Sequence, residues 1–339
     1  MSCRILPATA AVAMITAVLL LVSAPASDGQ SKVAAKPWKP PRTPWGHPDL
    51  QGVWDYRTIT PLERPNALSG KQFLTDDEAA TFERDENRRQ NRDLIDPAKG
   101  GLQYPPGGVV PYNEFWYDRG NSIVESKRTS LIVDPPDGRL PPLTPEGQKR
   151  ADSGAAEERE TQLGRPRADS YEDRPLSERC ILSAGTVPIL PGPYNNNIEI
   201  IQAPGYVAIL NEMIHEHRIV SLDGRPHGGQ NLRQWLGDSR GHWEGDTLVI
   251  DTTNFSPKID FRGAGPRLHV VERFKRVAAD MLQYEFTVDD PTIWTRSWTA
   301  VIPMKKSSEL IYEYACHEGN FALKNILAGA RALEKRPSR

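Results

Sequence analysis

The residues best equipped for chemistry in this chain are its histidines. There are seven, and all but His47 lie at or beyond position 215. His215 and His217 sit two apart in a stretch, Glu212 to Leu222, that alternates as a strand does, so both should point to one face. His227 follows the Asp223-Gly224 turn, His269 opens another strand, and His317 ends the last one. Two histidines on one strand with a third from its neighbour can hold a catalytic metal. His215, His217 and His227 are therefore the candidate ligands. A divalent ion is the candidate cofactor: zinc with an open position for water, or iron or manganese with an added carboxylate.

Without a metal, His215, His227, His269 and His317 would act as acids and bases in a shared pocket, His215 foremost. Glu318 directly follows His317, and a carboxylate beside an imidazole orients its tautomer and raises its basicity. Glu212 and Glu216 would point away from His215 on a regular strand. Histidines scattered over a sheet also serve as hydrogen-bonded structural residues or as surface residues. That alternative stands for each of these.

Aromatic residues are the second feature. Trp235, Trp243, Trp294 and Trp298 all fall in the same region, and Trp294, Arg296 and Trp298 should share a face. Inside a barrel they would line a pocket for a sugar ring, a phenol or a terpenoid, or fill the core. Familiar catalytic motifs are missing. Gly237-Asp238-Ser239 has the form of a GDS-lipase nucleophile block but stands two-thirds along the chain, and Asp223 and His227 have the wrong spacing to complete it. Read on to Gly241 the string fits the spacing G-x-S-x-G, but a strand-like run, Thr247–Asn254, follows it where a nucleophile elbow needs a helix. His317-Glu318-Gly319-Asn320-Phe321 lacks the second histidine of a zinc-protease helix, and no glycine-rich phosphate loop precedes a helix.

The elements that must position these residues follow from periodicity. From Asn197 onward the pattern is period two, in runs Asn197–Gln202, Tyr206–Leu210, Glu212–Leu222, Thr247–Asn254, Leu268–Val277, Met281–Asp289, Thr292–Met304 and Glu309–Cys316. Most of the joins are short, so successive strands should pair antiparallel and curl closed. Phe321 to Lys335 has helical spacing. Before Arg179 the chain is rich in proline and charge, with two helix starts: the capping box Thr75-Asp76-Asp77-Glu78, and Thr144 followed by Pro145. The expected fold is mainly β. It is an antiparallel, lipocalin-like barrel over 180–339 with a C-terminal helix, and a proline-rich, partly helical region, 27–179, wraps around it.

Residues 1–26 read as a secretory signal. Arg4 precedes an apolar run from about Ala8 to Val22, and Ala24-Pro25-Ala26 offers the cleavage site. Losing Arg4 leaves 41 basic against 44 acidic residues, net −3, from the 42 and 44 of the whole chain. That balance gives no footprint for nucleic acid and no polybasic membrane surface, and no later run reaches membrane-spanning length. The product is expected in the periplasm or outside the cell. Cys180 and Cys316 survive cleavage, and an even pair in an oxidising compartment reads as a disulfide. A reactive thiol and a pair of metal thiolates are the rival readings.

Several blocks carry a resemblance: Thr43-Pro44-Trp45-Gly46-His47-Pro48-Asp49-Leu50-Gln51-Gly52-Val53-Trp54, Thr129 to Arg139, Leu222 to His227, Gly237 to Phe255 and Tyr314 to Asn320. Together they resemble a family of uncharacterised secreted bacterial proteins, over nearly the whole mature chain. The resemblance implies that both halves form one unit; it implies no activity and no catalytic residues. The residues themselves point first to an exported enzyme acting on a small organic molecule or saccharide by hydrolysis, elimination or isomerisation. A binding protein for an apolar or aromatic ligand comes second, and a structural or interaction protein of the envelope third.

Overall fold

The computed structural model describes residues 38–94, 113–162, 167–183 and 185–335. The signal segment, with its expected cleavage after Ala26, lies outside the described residues. So does the Tyr104-Pro105-Pro106 stretch.

Among the described residues ten strands form one sheet: β1 (Gly52–Asp55), β2 (Ile132–Asp134), β3 (Asn197–Ala203), β4 (Tyr206–Asn211), β5 (His217–Ser221), β6 (Asp238–Glu244), β7 (Thr247–Thr253), β8 (His269–Ala278), β9 (Met281–Asp289) and β10 (Trp298–Ser307). The order is β1-β3-β4-β5-β6-β7-β8-β9-β10, and β1 also pairs with β10, which closes a nine-stranded barrel. The closing register sets Trp54 opposite Ile198 on one side and Lys306 on the other. β2 adds to the far edge of β10, with Ile132 opposite Ala300.

Alternation sets what fills the lumen. Trp54, Leu248, Ile250, Phe274, Leu282, Tyr284, Phe286, Trp298, Ile302 and Met304 are all fully buried. Trp298 meets Trp294 and Phe286 edge-on, at ring separations of 5.8 and 5.6 Å. Each such ring removes enough apolar surface to stabilise the fold by roughly 1.5–3 kcal/mol. One charged group is set among them: Glu272 accepts two hydrogen bonds from Arg218 and a third from the Tyr284 hydroxyl at 2.8 Å. Tyr284 Oη in turn accepts from the Ile189 amide at 2.9 Å, which fastens the segment before β3 to the barrel.

The proline-rich half wraps as expected. α1 (Asp76–Gln90) begins at Thr75 with both hydrogen bonds of its capping box, and buries Ala79 in a small cluster with Ile59, Leu74 and Ile123. α2 (Pro145–Gln162) follows Thr144, whose amide donates to Ile293 O at 2.9 Å. Gly147 sits where this helix docks, since a Cβ there would stand 2.4 Å from Ile293 O. α3 (Ala322–Glu334) is the C-terminal helix, held by Arg331 to the carbonyls of Ala168 and Asp169 at 2.9 Å.

Five sequence expectations need correction. The barrel does not begin at Cys180, because β1 comes from the wrapping half. The run Glu212–Leu222 is not one strand: it breaks at a 3-10 turn, Met213–His215, in which Ile214 has φ +56°. The Glu309–Cys316 run forms no strand, and β10 starts at Trp298 rather than Thr292 because Asp290 captures the Thr292 amide and hydroxyl in a turn. Asp238–Glu244, absent from the expected strands, supplies β6.

Candidate functional site

β5 and β6 are parallel neighbours, joined by the single pairing of Ser221 with Arg240. Parallel strands cannot be linked by a hairpin, so the connecting chain has to travel back along the barrel. Residues 222–237 make that return over the outside. Alternation shows which side chains await them. Leu248, Ile250 and Thr252 on β7 are fully buried, so Asp251 between them points outward. The register places Arg240 of β6 beside Asp251, and Val271 of β8 on its other side.

Asp251 is the centre of the resulting cluster. Its Oδ2 lies 2.9 Å from His269 Nε2, and its Oδ1 lies 2.9 Å from Nε2 of His227 on the return loop. The other nitrogen of His227, Nδ1, faces Asp238 Oδ2 at 3.3 Å. A neutral imidazole donates from one nitrogen only, so in its neutral form His227 donates to just one of these two carboxylates. Asp238 is anchored further by Arg240 at 2.9 Å and by the Gly228 amide at 2.7 Å. The Gly228 carbonyl accepts from Asn254 Nδ2 at 3.0 Å, which clamps the loop onto β7.

The charges are tuned by this packing. Burial pushes the Asp251 carboxyl upward, but hydrogen bonds and charge from His269 and His227 outweigh it and hold the group below the usual carboxylate range. The Asp251 hydrogen bond raises His269 above the ordinary imidazole value, partly offset by burial, with Asp289 opposite on β9 adding to the rise. With its Nε2 proton directed at Asp251, His269 keeps Nδ1 for another group. That nitrogen has no hydrogen-bond partner among the described residues. An oriented imidazole with one nitrogen available is a general-base arrangement.

Of the expected site histidines, the structure brings together His227 and His269. His217 is exposed at the start of β5, and His215 lies in the 3-10 turn, so the two do not share a strand face. Among the described residues, no group of three or more histidine, cysteine or acidic side chains is arranged to hold a metal ion. His317 and Glu318 are exposed in a turn whose Asn320 bonds Glu178 O at 3.1 Å. They share no hydrogen bond or ion pair with Asp251 among the described residues. Glu216 is half-buried, and its carboxyl is pushed up to about 7 by burial.

The four tryptophans divide. Trp294 and Trp298 are core, while Arg296 turns outward to pair with Asp134, so these three do not share a face. Trp243 points inward from β6 and stacks on His47 at 5.1 Å. Trp235 reaches a large opening. With Leu236, Phe255, Ile259 and Phe261 it floors a cleft of about 800 Å³, walled by the 172–187 segment and the end of α2.

Cys180 and Cys316 are disulfide-bonded, with Cα atoms 5.7 Å apart. Sequence reasoning missed Asp251, Asp238 and Arg240. The signal for Asp251 was present in its alternation with Leu248, Ile250 and Thr252.

No helix among the described residues is long and apolar enough to cross a membrane. No family model and no curated protein matches the chain. Among solved structures it is similar to a secretary abundant heat soluble (SAHS) protein from Ramazzottius varieornatus, at 15% identity and a TM-score of 0.23, over 33% of this chain and 70% of that one.

Proposed function

We propose that this chain is an exported enzyme in which His269, oriented by Asp251, moves a proton to or from a small organic molecule or saccharide, in a hydrolysis, elimination or isomerisation. The observation that carries the reading is the Asp251 carboxylate on Nε2 of a partly exposed histidine whose Nδ1 is left over. Arg240, beside Asp251 on the same outer face, supplies positive charge for an anionic intermediate. His227 and the 222–237 loop roof the site, so loop movement would admit substrate.

The test is a turnover screen of the mature protein against chromogenic esters, lactones and glycosides, repeated with His269→Gln and Asp251→Asn. General acid–base catalysis supplies about 100-fold or more, so His269→Gln should lose at least that much rate with its circular dichroism unchanged. Turnover that survives His269→Gln intact refutes the assignment.

A second reading is favoured by the Trp235 cleft: a binding protein whose ligand lies outside the packed lumen, against Trp235, Phe255 and Phe261. Binding of an apolar dye that Trp235→Ala abolishes, in a protein without turnover, would put this reading first.

A further inference from the structure

A second cleft, of about 500 Å³, opens at the end of the barrel where β3 begins and β4 ends. Trp116, Tyr194 and Tyr314 line it together with Asp118, Asn195 and Glu212, and among the described residues no cationic side chain does. We infer that this cleft is a binding site for an organic cation of the methylated ammonium class, held by the three aromatic rings and the Glu212 carboxylate.

The three rings come from separate parts of the chain, and each is fixed by a bond beside it. Trp116 ends the 3-10 turn Glu114–Trp116. Two residues on, the Asp118 amide donates to Pro193 O at 2.8 Å, and the Asp118 carbonyl accepts from Asn196 Nδ2 at 2.8 Å. Those two bonds hold the Trp116 turn against the Tyr194 turn. Tyr314 lies in the segment between β10 and α3, which the Cys180–Cys316 disulfide pins two residues later. Burial, with the hydrogen bond and charge of Tyr194, pushes the Tyr314 phenol upward, so its ring stays neutral and electron-rich.

The acids are placed to complement a positive charge. Glu212 spends one oxygen, Oε2, on the Asn197 amide and side chain, at 3.1 and 2.9 Å. Its Oε1 has no hydrogen-bond partner among the described residues. Asp118 is already paired with Arg57, which also bonds Asp55, so Glu212 is the acid left to meet a cation. Trp116 is 62% exposed, a large apolar side chain kept at the surface beside this opening. Among the described residues no group of three histidine, cysteine or acidic side chains is arranged to hold a metal ion, and half of this lining is aromatic. A methylated ammonium presents a weakly hydrated, apolar cation, which such faces attract. Its site is separate from the His269 cluster and does not depend on that reading.

The test is a ligand-observed NMR titration of the mature protein with choline and with its neutral carbon isostere, dimethylbutanol. Choline should saturate and the isostere should bind about tenfold more weakly, a difference that measures the charge against the rings. Trp116→Ala, at an exposed position that the fold does not need, should weaken choline at least ~5-fold, and Tyr314→Leu similarly. His269→Gln should leave it unchanged. Equal affinity for choline and the isostere, no saturation by choline at millimolar concentration, or full affinity in Trp116→Ala would each overturn the inference.

Discussion

Replacing Arg218 by methionine should destabilise the barrel severely, and the second substitution Glu272→Gln should largely rescue it. Arg218 is 4% exposed and Glu272 fully buried, and two charge-assisted hydrogen bonds join them. Methionine keeps the apolar stem but removes both donors, leaving a carboxylate in the lumen with only the Tyr284 hydroxyl. Removing one partner of a buried ion pair costs about 3–5 kcal/mol, most of it from the stranded charge. In the double variant no charge is buried, and a glutamine oxygen can still accept from Tyr284. The double variant should therefore lie within about 1–2 kcal/mol of the parent, because neutralising both partners avoids the desolvation of either. Urea unfolding of the disulfide-intact protein, followed by tryptophan fluorescence, reads all three stabilities. A loss below about 1 kcal/mol in Arg218→Met, or a double variant as weak as the sum of its singles, would refute the argument, since both would mean that water reaches the pair.

Reducing the disulfide, or replacing Cys180 and Cys316 by serine, opens a loop of 136 residues. The chain-entropy model assigns such a loop about 5 kcal/mol, so the urea midpoint should fall sharply in the serine variant; an unchanged midpoint would show that the unfolded chain is already constrained. The Asp251–His269 pair should give a stability bonus confined to acid pH. The raised His269 value stabilises the fold below the unfolded imidazole pKa of about 6.5 and loses that effect as pH rises through the folded value. The lowered Asp251 value stabilises it above about 3.9 and fails as pH falls through its folded value. Both groups are more than a third exposed, so the bonus should stay under about 1 kcal/mol, peak near pH 5, and vanish in His269→Gln. A pH–stability curve identical in that variant would contradict the pairing.

What the sequence determined by itself has local causes. The Thr75 capping box begins α1 because its two bonds span three residues, and Pro145 after Thr144 begins α2 for a similar reason. Period-two burial drew β3, β4, β7, β8 and β9 within a residue or two of their ends, since one buried face is enough to impose it. The cysteine count was enough to name the Cys180–Cys316 bond. What only the tertiary structure decided depends on partners distant in the chain. Gly52–Asp55 is too short to announce itself, and becomes a barrel strand only between Ile198 and Lys306. The Glu212–Leu222 alternation continues through a break that Ile214 makes by turning to positive φ. His227 and His269 are 42 positions apart, and nothing local relates them. They meet because β5 and β6 run parallel, which sends the connecting loop back across the outer wall onto Asp251. The sequence marks which strand residues share a face; which face is the lumen, and what the loops lay over the other, is settled by the closure of the sheet.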